Sequence, residues 1–233
     1  MIGADLTRRV NMVDIQAIRS GQLKHLPGAD LEDEDLAGLE GTGFNLAGAN
    51  LTGANLKDAV LAHAYLEGAN LTGIEAIGAD LRANFAGAQL MQADLTEADL
   101  RGSNLRGANL RQAQMPRSTL AGAFLGGANL AGANLQGVDL RGSDLRGANL
   151  QGANLRCANL NQSTLQGADL QHADLEEADL WGANLAGANL QDANLLCAEL
   201  EAATLAGANL QGACLIGTHL EKLGQPDEFK TLS

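Results

Sequence analysis

Aromatic residues make up only 3% of this 233-residue chain, which holds one Trp, one Tyr and four Phe. A globular core built on large rings is thereby excluded, and the apolar content must come from leucine and alanine. No stretch approaches the roughly 20 apolar residues of a membrane helix, because Asp, Asn, Arg or Glu recurs every few positions. A soluble protein is expected. Met1 to Met12 carries Asp5, Arg8 and Arg9 and no apolar h-region, so no secretory leader is read there and a cytoplasmic location is expected. Cys157, Cys197 and Cys214 are odd in number and form no CxxC, which suits free thiols in a reducing compartment. Basic residues are also few, 15 against 28 acidic ones, giving a net charge of -13 and a pI near 4.6. Direct nucleic-acid binding is not expected, since such affinity comes from Lys and Arg; acidic solubility or a basic partner fits better.

What the chain has in abundance is repetition. Leucine occurs at Leu90, Leu95, Leu100, Leu105 and Leu110 and onward in steps of five to Leu220, and between 85 and 220 only Phe85 and Met115 break the series. Two residues before each slot stands Ala or another small residue, and between the two stands Asp or Asn. Small-in, polar-out, leucine-in is strand alternation, and the remaining two residues, often ending in Gly, supply a turn. A unit this short cannot bury its leucine alone, so successive turns must stack at about 4.8 Å and pair their backbones. Gly87, Gly107, Gly127, Gly147, Gly167, Gly187 and Gly207 recur every twenty residues, which points to four units per coil. The expected fold is an all-β solenoid.

Units such as Ala49-Asn50-Leu51-Thr52-Gly53 and Ala148-Asn149-Leu150-Gln151-Gly152 resemble the A(D/N)LxG repeats of the pentapeptide repeat family. The resemblance implies a right-handed quadrilateral β-helix of nearly ten coils, about 47 Å long at strand spacing. Some bacterial members of this kind, small and composed almost wholly of repeats, act in cyanobacterial differentiation control. Others are acidic rods that bind DNA gyrase.

Three segments are predicted: an N-terminal cap with a short helix over 1–28, the β-helix over 29–220, and a C-terminal tail or cap over 221–233. Asn11 with Asp14 resembles a helix cap, Val10, Ile15 and Ile18 are apolar, and Gly21 is placed to end the helix. After Leu220 the tail holds Leu223, Pro226 and Phe229. Leu81 and Phe85 are four apart instead of five, so one residue is missing at a corner and a local kink is expected. The empty inward slot at Gly41 beside Leu39, and the exchange of Ile74 with Ala76, read as swaps that conserve core volume. Glu32 to Asp35 reads as a solvated acidic edge that guards against strand pairing.

Catalytic chemistry finds no foothold in the sequence. His25, His63, His172 and His219 match no metal spacing, the glycines follow the repeat and not a phosphate cradle, and a leucine-filled rod offers no pocket for paired carboxylates. No cofactor and no metal are assigned. Cys157 and Cys197 lie two coils apart, about 10 Å, beyond disulfide reach.

Aligning the twenty-residue coils singles out one edge. Arg101, Arg141 and Trp181 share a column, Phe124 lies across the turn, and Arg106 with Arg146 lines the next face. Arginine with exposed aromatics is a frequent composition of interface hot spots, so these six residues are the expected partner-binding patch. The leading reading is a noncatalytic protein-protein interaction or regulatory scaffold, a monomer or end-to-end dimer with an unknown protein partner. The alternative, supplied by the resemblance, is a DNA-mimicking inhibitor or protector of DNA gyrase or topoisomerase IV. Against it, duplex DNA carries about one charge per 1.7 Å, whereas the net charge of -13 over about 47 Å is roughly one per 3.6 Å.

Overall fold

The computed structural model describes residues 14–223, which wind into coils paired in parallel. Asn104 bridges Phe124, Phe124 bridges Asp144 and Asp144 bridges Thr164; Asn109, Gln114 and Thr119 start the three other bridge series of the same coil. Twenty residues per coil and four bridges per coil make the rod four-sided. Within one side the alternation is as the residues require: Ala123 and Leu125 are buried, while Phe124 between them points outward. The inward-facing leucines from Leu26 to Leu210, joined by Phe85 and Met115, form one continuous buried column with the alanines. The bridging reaches one repeat further toward the N terminus than the repeat pattern suggests, beginning at His25 with Leu26 buried behind it.

Each corner is a β-turn of leucine, a variable residue, usually glycine, and a small residue. At Leu125 the carbonyl accepts the N–H of Ala128 at 2.9 Å, and Gly127 between them has φ +65°. Positive φ at the third residue is the mark of a type II turn and is the reason glycine dominates there. Elsewhere the same left-handed position holds side chains, among them His63, Cys157, His172 and Cys197.

The outward Asp and Asn have a structural duty that composition does not reveal. The Asn45 side-chain oxygen accepts the N–H of Ala47 at 3.1 Å, and the same bond recurs from Asn129 to Ala131 and from Asn149 to Gln151. This is an Asx turn that pins the corner. The side-chain amides then link coils: Asn104 donates to Asn84 at 2.9 Å, Asn154 to Asn134 at 3.2 Å and Asn209 to Asn189 at 3.0 Å.

The missing residue is absorbed at one corner. Tyr65 bridges Asn84 and Asp80 bridges Asp99, an offset of nineteen instead of twenty, and the series resumes at twenty with Asn84 and Asn104. There the Ala83 N–H reaches the Leu81 carbonyl, two residues back, at 2.7 Å, so the turn is tightened and no strand residue changes face. The gap at Gly41 is filled from two directions. Leu39 and Phe44 are both buried, and a Cβ on Gly41 would lie 2.6 Å from Leu61 Cδ2.

At the N-terminal end, helix α1 (Ile15–Arg19) is capped by Asp14, whose carboxylate accepts the Ala17 N–H at 3.0 Å. Gly21, at φ +70°, follows the helix. Ile18 is buried on the core, and Arg19 donates to the carbonyls of Asp35 at 3.0 Å and Ala37 at 3.3 Å. In every later coil such carbonyls accept from the coil before; here the guanidinium substitutes for that missing coil. Asn11 and Val10 lie outside the described residues, as do Pro226 and Phe229. At the other end the last bridge is Asn194 with Cys214. Leu220 keeps the five-residue spacing and is buried, yet it belongs to a 3-10 helix (His219–Leu223) and not to a further coil side. Among the described residues no helix is long and apolar enough to cross a membrane.

Candidate interaction face

The side of the rod with the fewest charges carries, in order, His25, Asn45, Tyr65, Asn84, Asn104, Phe124, Asp144, Thr164, Asn184 and Thr204. Asp144 is its one carboxylate. Tyr65 and Phe124 are 53% and 40% exposed, three coils apart on this side. Of the six residues singled out from the sequence, Phe124 lies on this side and the other five bracket it: Arg101, Arg141 and Trp181 follow the neighbouring Asp139 side at one corner, and Arg106 and Arg146 stand at the opposite corner.

The arginines are not free heads. Arg101 holds Asp99 through Nε at 2.9 Å and Nη2 at 2.6 Å, and Arg141 holds Asp139 at 2.9 and 2.8 Å. Arg146 holds Asp144 at 2.8 and 2.7 Å. In each case the partner is the residue two positions earlier, whose carboxylate also accepts the arginine's own N–H. Such two-pronged pairs draw the Asp99, Asp139 and Asp144 carboxyls below their usual range, chiefly through the arginine hydrogen bond, with partial burial opposing. Arg106 differs. Its repeat carries Asn104 in place of Asp, and its guanidinium lies over the Phe124 ring, 4.4 Å from the centroid.

Trp181, 42% exposed, shares the corner with Arg141 two coils away but not its surroundings. It faces a shallow hollow lined also by Asn161, Glu177, Asp179, Cys197 and Glu199.

Two members of this surface escape an alignment in strict steps of twenty. Tyr65 belongs with Phe124, and Arg82 belongs with Arg101, because the nineteen-residue coil shifts everything before Leu81 by one. Counting back across the four-residue step from Leu81 to Phe85 would have found both. Arg82 repeats the pattern, holding Asp80 at 2.8 and 2.5 Å.

Elsewhere the titratable groups do not converge. Among the described residues no three His, Cys, Asp or Glu side chains are placed to hold a metal ion. Cys157, Cys197 and Cys214 are free thiols. Cys157 Sγ lies 3.4 Å from a Glu177 carboxylate oxygen, which, with some desolvation, pushes the thiol up and keeps it protonated.

Among solved structures, the chain resembles HetL, a pentapeptide repeat protein involved in heterocyst differentiation regulation from the cyanobacterium Nostoc. Identity is 34% over 91% of this chain and 95% of that one, with a TM-score of 0.87. QnrB1, a plasmid-mediated fluoroquinolone resistance protein, is 20% identical over 65% of this chain and 82% of its own, with a TM-score of 0.48. A pentapeptide repeat protein from the Arabidopsis thaliana thylakoid lumen is 30% identical over 46% of this chain and 68% of its own, with a TM-score of 0.28. No curated protein sequence matches significantly. The pattern of pentapeptide repeats matches in eight copies across residues 42–82, 83–120, 117–147, 143–182 and 183–221. The chain therefore belongs to the pentapeptide repeat family, and its four-sided solenoid is that family's right-handed quadrilateral β-helix.

Proposed function

We propose that this chain is a noncatalytic scaffold that binds a protein partner on the face carrying Tyr65 and Phe124, with the arginine corners as its rim. The observation that carries this reading is the pairing of two exposed aromatics with the least charged side of an otherwise acidic rod. Large rings left in water on a rigid surface are the usual anchors of an interface, and charges already neutralised within the rim cost little to cover. The likeness to HetL, which is involved in differentiation regulation, supports a regulatory task. The cytoplasm is the proposed setting.

The DNA-mimic alternative is weakened by the charge pairing at the arginine corners. Asp80, Asp99, Asp139 and Asp144 are each tied to an arginine two residues on, and Glu176 is tied to Arg156. A column of alternating paired charges is a poor copy of a phosphate backbone, which presents negative charge alone.

The test is a tagged pull-down from the source cell's lysate at low and high salt, using wild type and a Tyr65→Ala/Phe124→Ala variant. A partner retained at high salt by wild type and lost by the variant supports the reading. Equal recovery by both sinks the face. Recovery of gyrase or topoisomerase IV subunits, lost as salt rises, would favour the alternative.

A further inference from the structure

The column that holds Arg82, Arg101 and Arg141 is a series of Asp-x-Arg units in which each aspartate on the flat side receives the guanidinium of the corner residue two positions on. Asp179 stands in that same side series, bridged to Asn159 and Glu199, but its corner residue is Trp181. The backbone is the same as in the arginine units: the Trp181 N–H donates to the Asp179 carboxylate at 2.9 Å, as the Arg141 N–H does to Asp139 at 3.2 Å. What differs is the head group. Where the other units supply a cation, this one supplies an aromatic face.

Asp179 is thus a carboxylate in a position that binds guanidinium three times over in this molecule, without a guanidinium of its own. Glu177 and Glu199 line the same hollow, and Glu201 follows Trp181 by one coil at the same corner. Among the described residues none of these four carboxylates forms an ion pair, although most of the arginines elsewhere on the rod do. Trp181 is exposed in the hollow that Asp179, Glu177 and Glu199 line, and the Trp ring is the best aromatic receiver of a cation. Arginine is the fitting occupant, since its planar fork can take the carboxylate edge-on while lying flat on the ring.

We propose that the hollow around Trp181 and Asp179 binds an arginine side chain from a partner protein, replacing in trans the arginine that Arg82, Arg101 and Arg141 supply in cis. This rests on the reading of the rod as a protein-binding scaffold and adds a second contact with defined chemistry. It also explains why a surface with net charge -13 keeps this patch unneutralised: a basic segment is steered to it.

Trp181 is the only tryptophan in the chain, so its emission reports on this site alone. A short peptide of alternating Arg and Gly, titrated at low salt, is expected to change that emission saturably, and the Lys-Gly counterpart is expected to bind at least several-fold more weakly. Asp179→Asn with Glu199→Gln keeps the turn acceptor and removes two charges; binding should fall at least tenfold. Asp30→Asn with Asp35→Asn removes the same charge from the other end and should leave affinity within about twofold. Trp181→Arg, followed by calorimetry, should rebuild the pair in cis and abolish peptide binding while raising the melting temperature slightly. The proposal is overturned if no saturable change occurs, if both neutralised variants weaken binding equally, or if Trp181→Arg binds the peptide as wild type does. Because the probe is a synthetic peptide, a partner captured through Tyr65 and Phe124 together with a silent Trp181 would leave the scaffold reading standing and remove only this one.

Discussion

Gly126 and Gly127 are neighbours in one exposed corner, and replacing each with alanine should move stability in opposite directions. Gly127 has φ +65°, and its missing Cβ would meet nothing within 4 Å, so the entire penalty is conformational. Left-handed backbone costs an L-residue about 1–2 kcal/mol. Alanine also recovers about 0.4–1 kcal/mol by restricting the unfolded chain. Gly127→Ala should therefore destabilise, by about 0.8 kcal/mol at the midpoints of these ranges. Gly126 lies outside the left-handed region, its Cβ would touch only the Arg146 carbonyl at 3.8 Å, and the equivalent corner residues Ala86, Ala186 and Ala206 are already alanine. Gly126→Ala should stabilise by about 0.4–1 kcal/mol. At about 2–4 °C per kcal/mol for a chain of this size, thermal melts followed by far-UV circular dichroism should place the two variants at least about 2 °C apart, on either side of wild type. Equal shifts of the same sign would refute the assignment of the glycine to backbone conformation and would point to solvation or packing of the corner.

The remaining predictions test the interior, the charge pairs and the cap. Gly41→Ala should destabilise by about 1–3 kcal/mol in denaturant unfolding, because the new methyl collides with Leu61 in a closed core; a neutral result would show that Leu39 and Phe44 leave slack there. Ser103 and Ser143 are both buried, but Ser143 Oγ donates to the Leu140 carbonyl at 2.7 Å whereas Ser103 Oγ has no partner. Ser103→Ala should be neutral to stabilising and Ser143→Ala should cost about 1 kcal/mol, and the reverse order in the same assay would contradict these bonding patterns. The Asp80, Asp99, Asp139 and Asp144 carboxyls are held below their usual range by their arginines, so their contribution is present above the unfolded carboxylate value near 3.9 and is lost as pH falls through the lowered folded values. Each pair is solvated, so its contribution to stability is small. An Asp99→Asn/Asp139→Asn/Asp144→Asn variant should lose less stability than wild type between pH 5 and pH 2, measured by melting temperature. Arg19→Ala uncovers the Asp35 and Ala37 carbonyls and should speed amide exchange in the first coil while leaving the coil around Leu150 unchanged.

The five-residue period and the twenty-residue glycine column were enough to predict a four-sided rod, its leucine interior and the deletion between Leu81 and Phe85. Each is a one-dimensional property: a side chain's face follows from its position in the unit, and the unit is too short to have any other arrangement. Column membership of Arg101, Arg141 and Trp181 was legible for the same reason. Tyr65 and Arg82 were missed because they lie on the far side of the nineteen-residue coil. The dual duty of the outward Asn, as turn pin and as link between coils, left only a weak trace, namely that the short Asp and Asn are preferred to Glu and Gln there, since a side-chain oxygen must sit close to the N–H two residues on.

The sequence by itself determined which residues face inward, how many sides the solenoid has and where its period slips, because those follow from spacing along the chain. Only the tertiary structure decided which charges are spent. Arg101, Arg141 and Arg146 look like free binding heads in the alignment and are occupied by their own aspartates, whereas Asp179 looks like any other repeat residue and, among the described residues, is left without a cation. Pairing depends on where a flexible side chain comes to rest, on the head group two residues away and on the neighbouring coil. Those distances exist only once the coils are stacked.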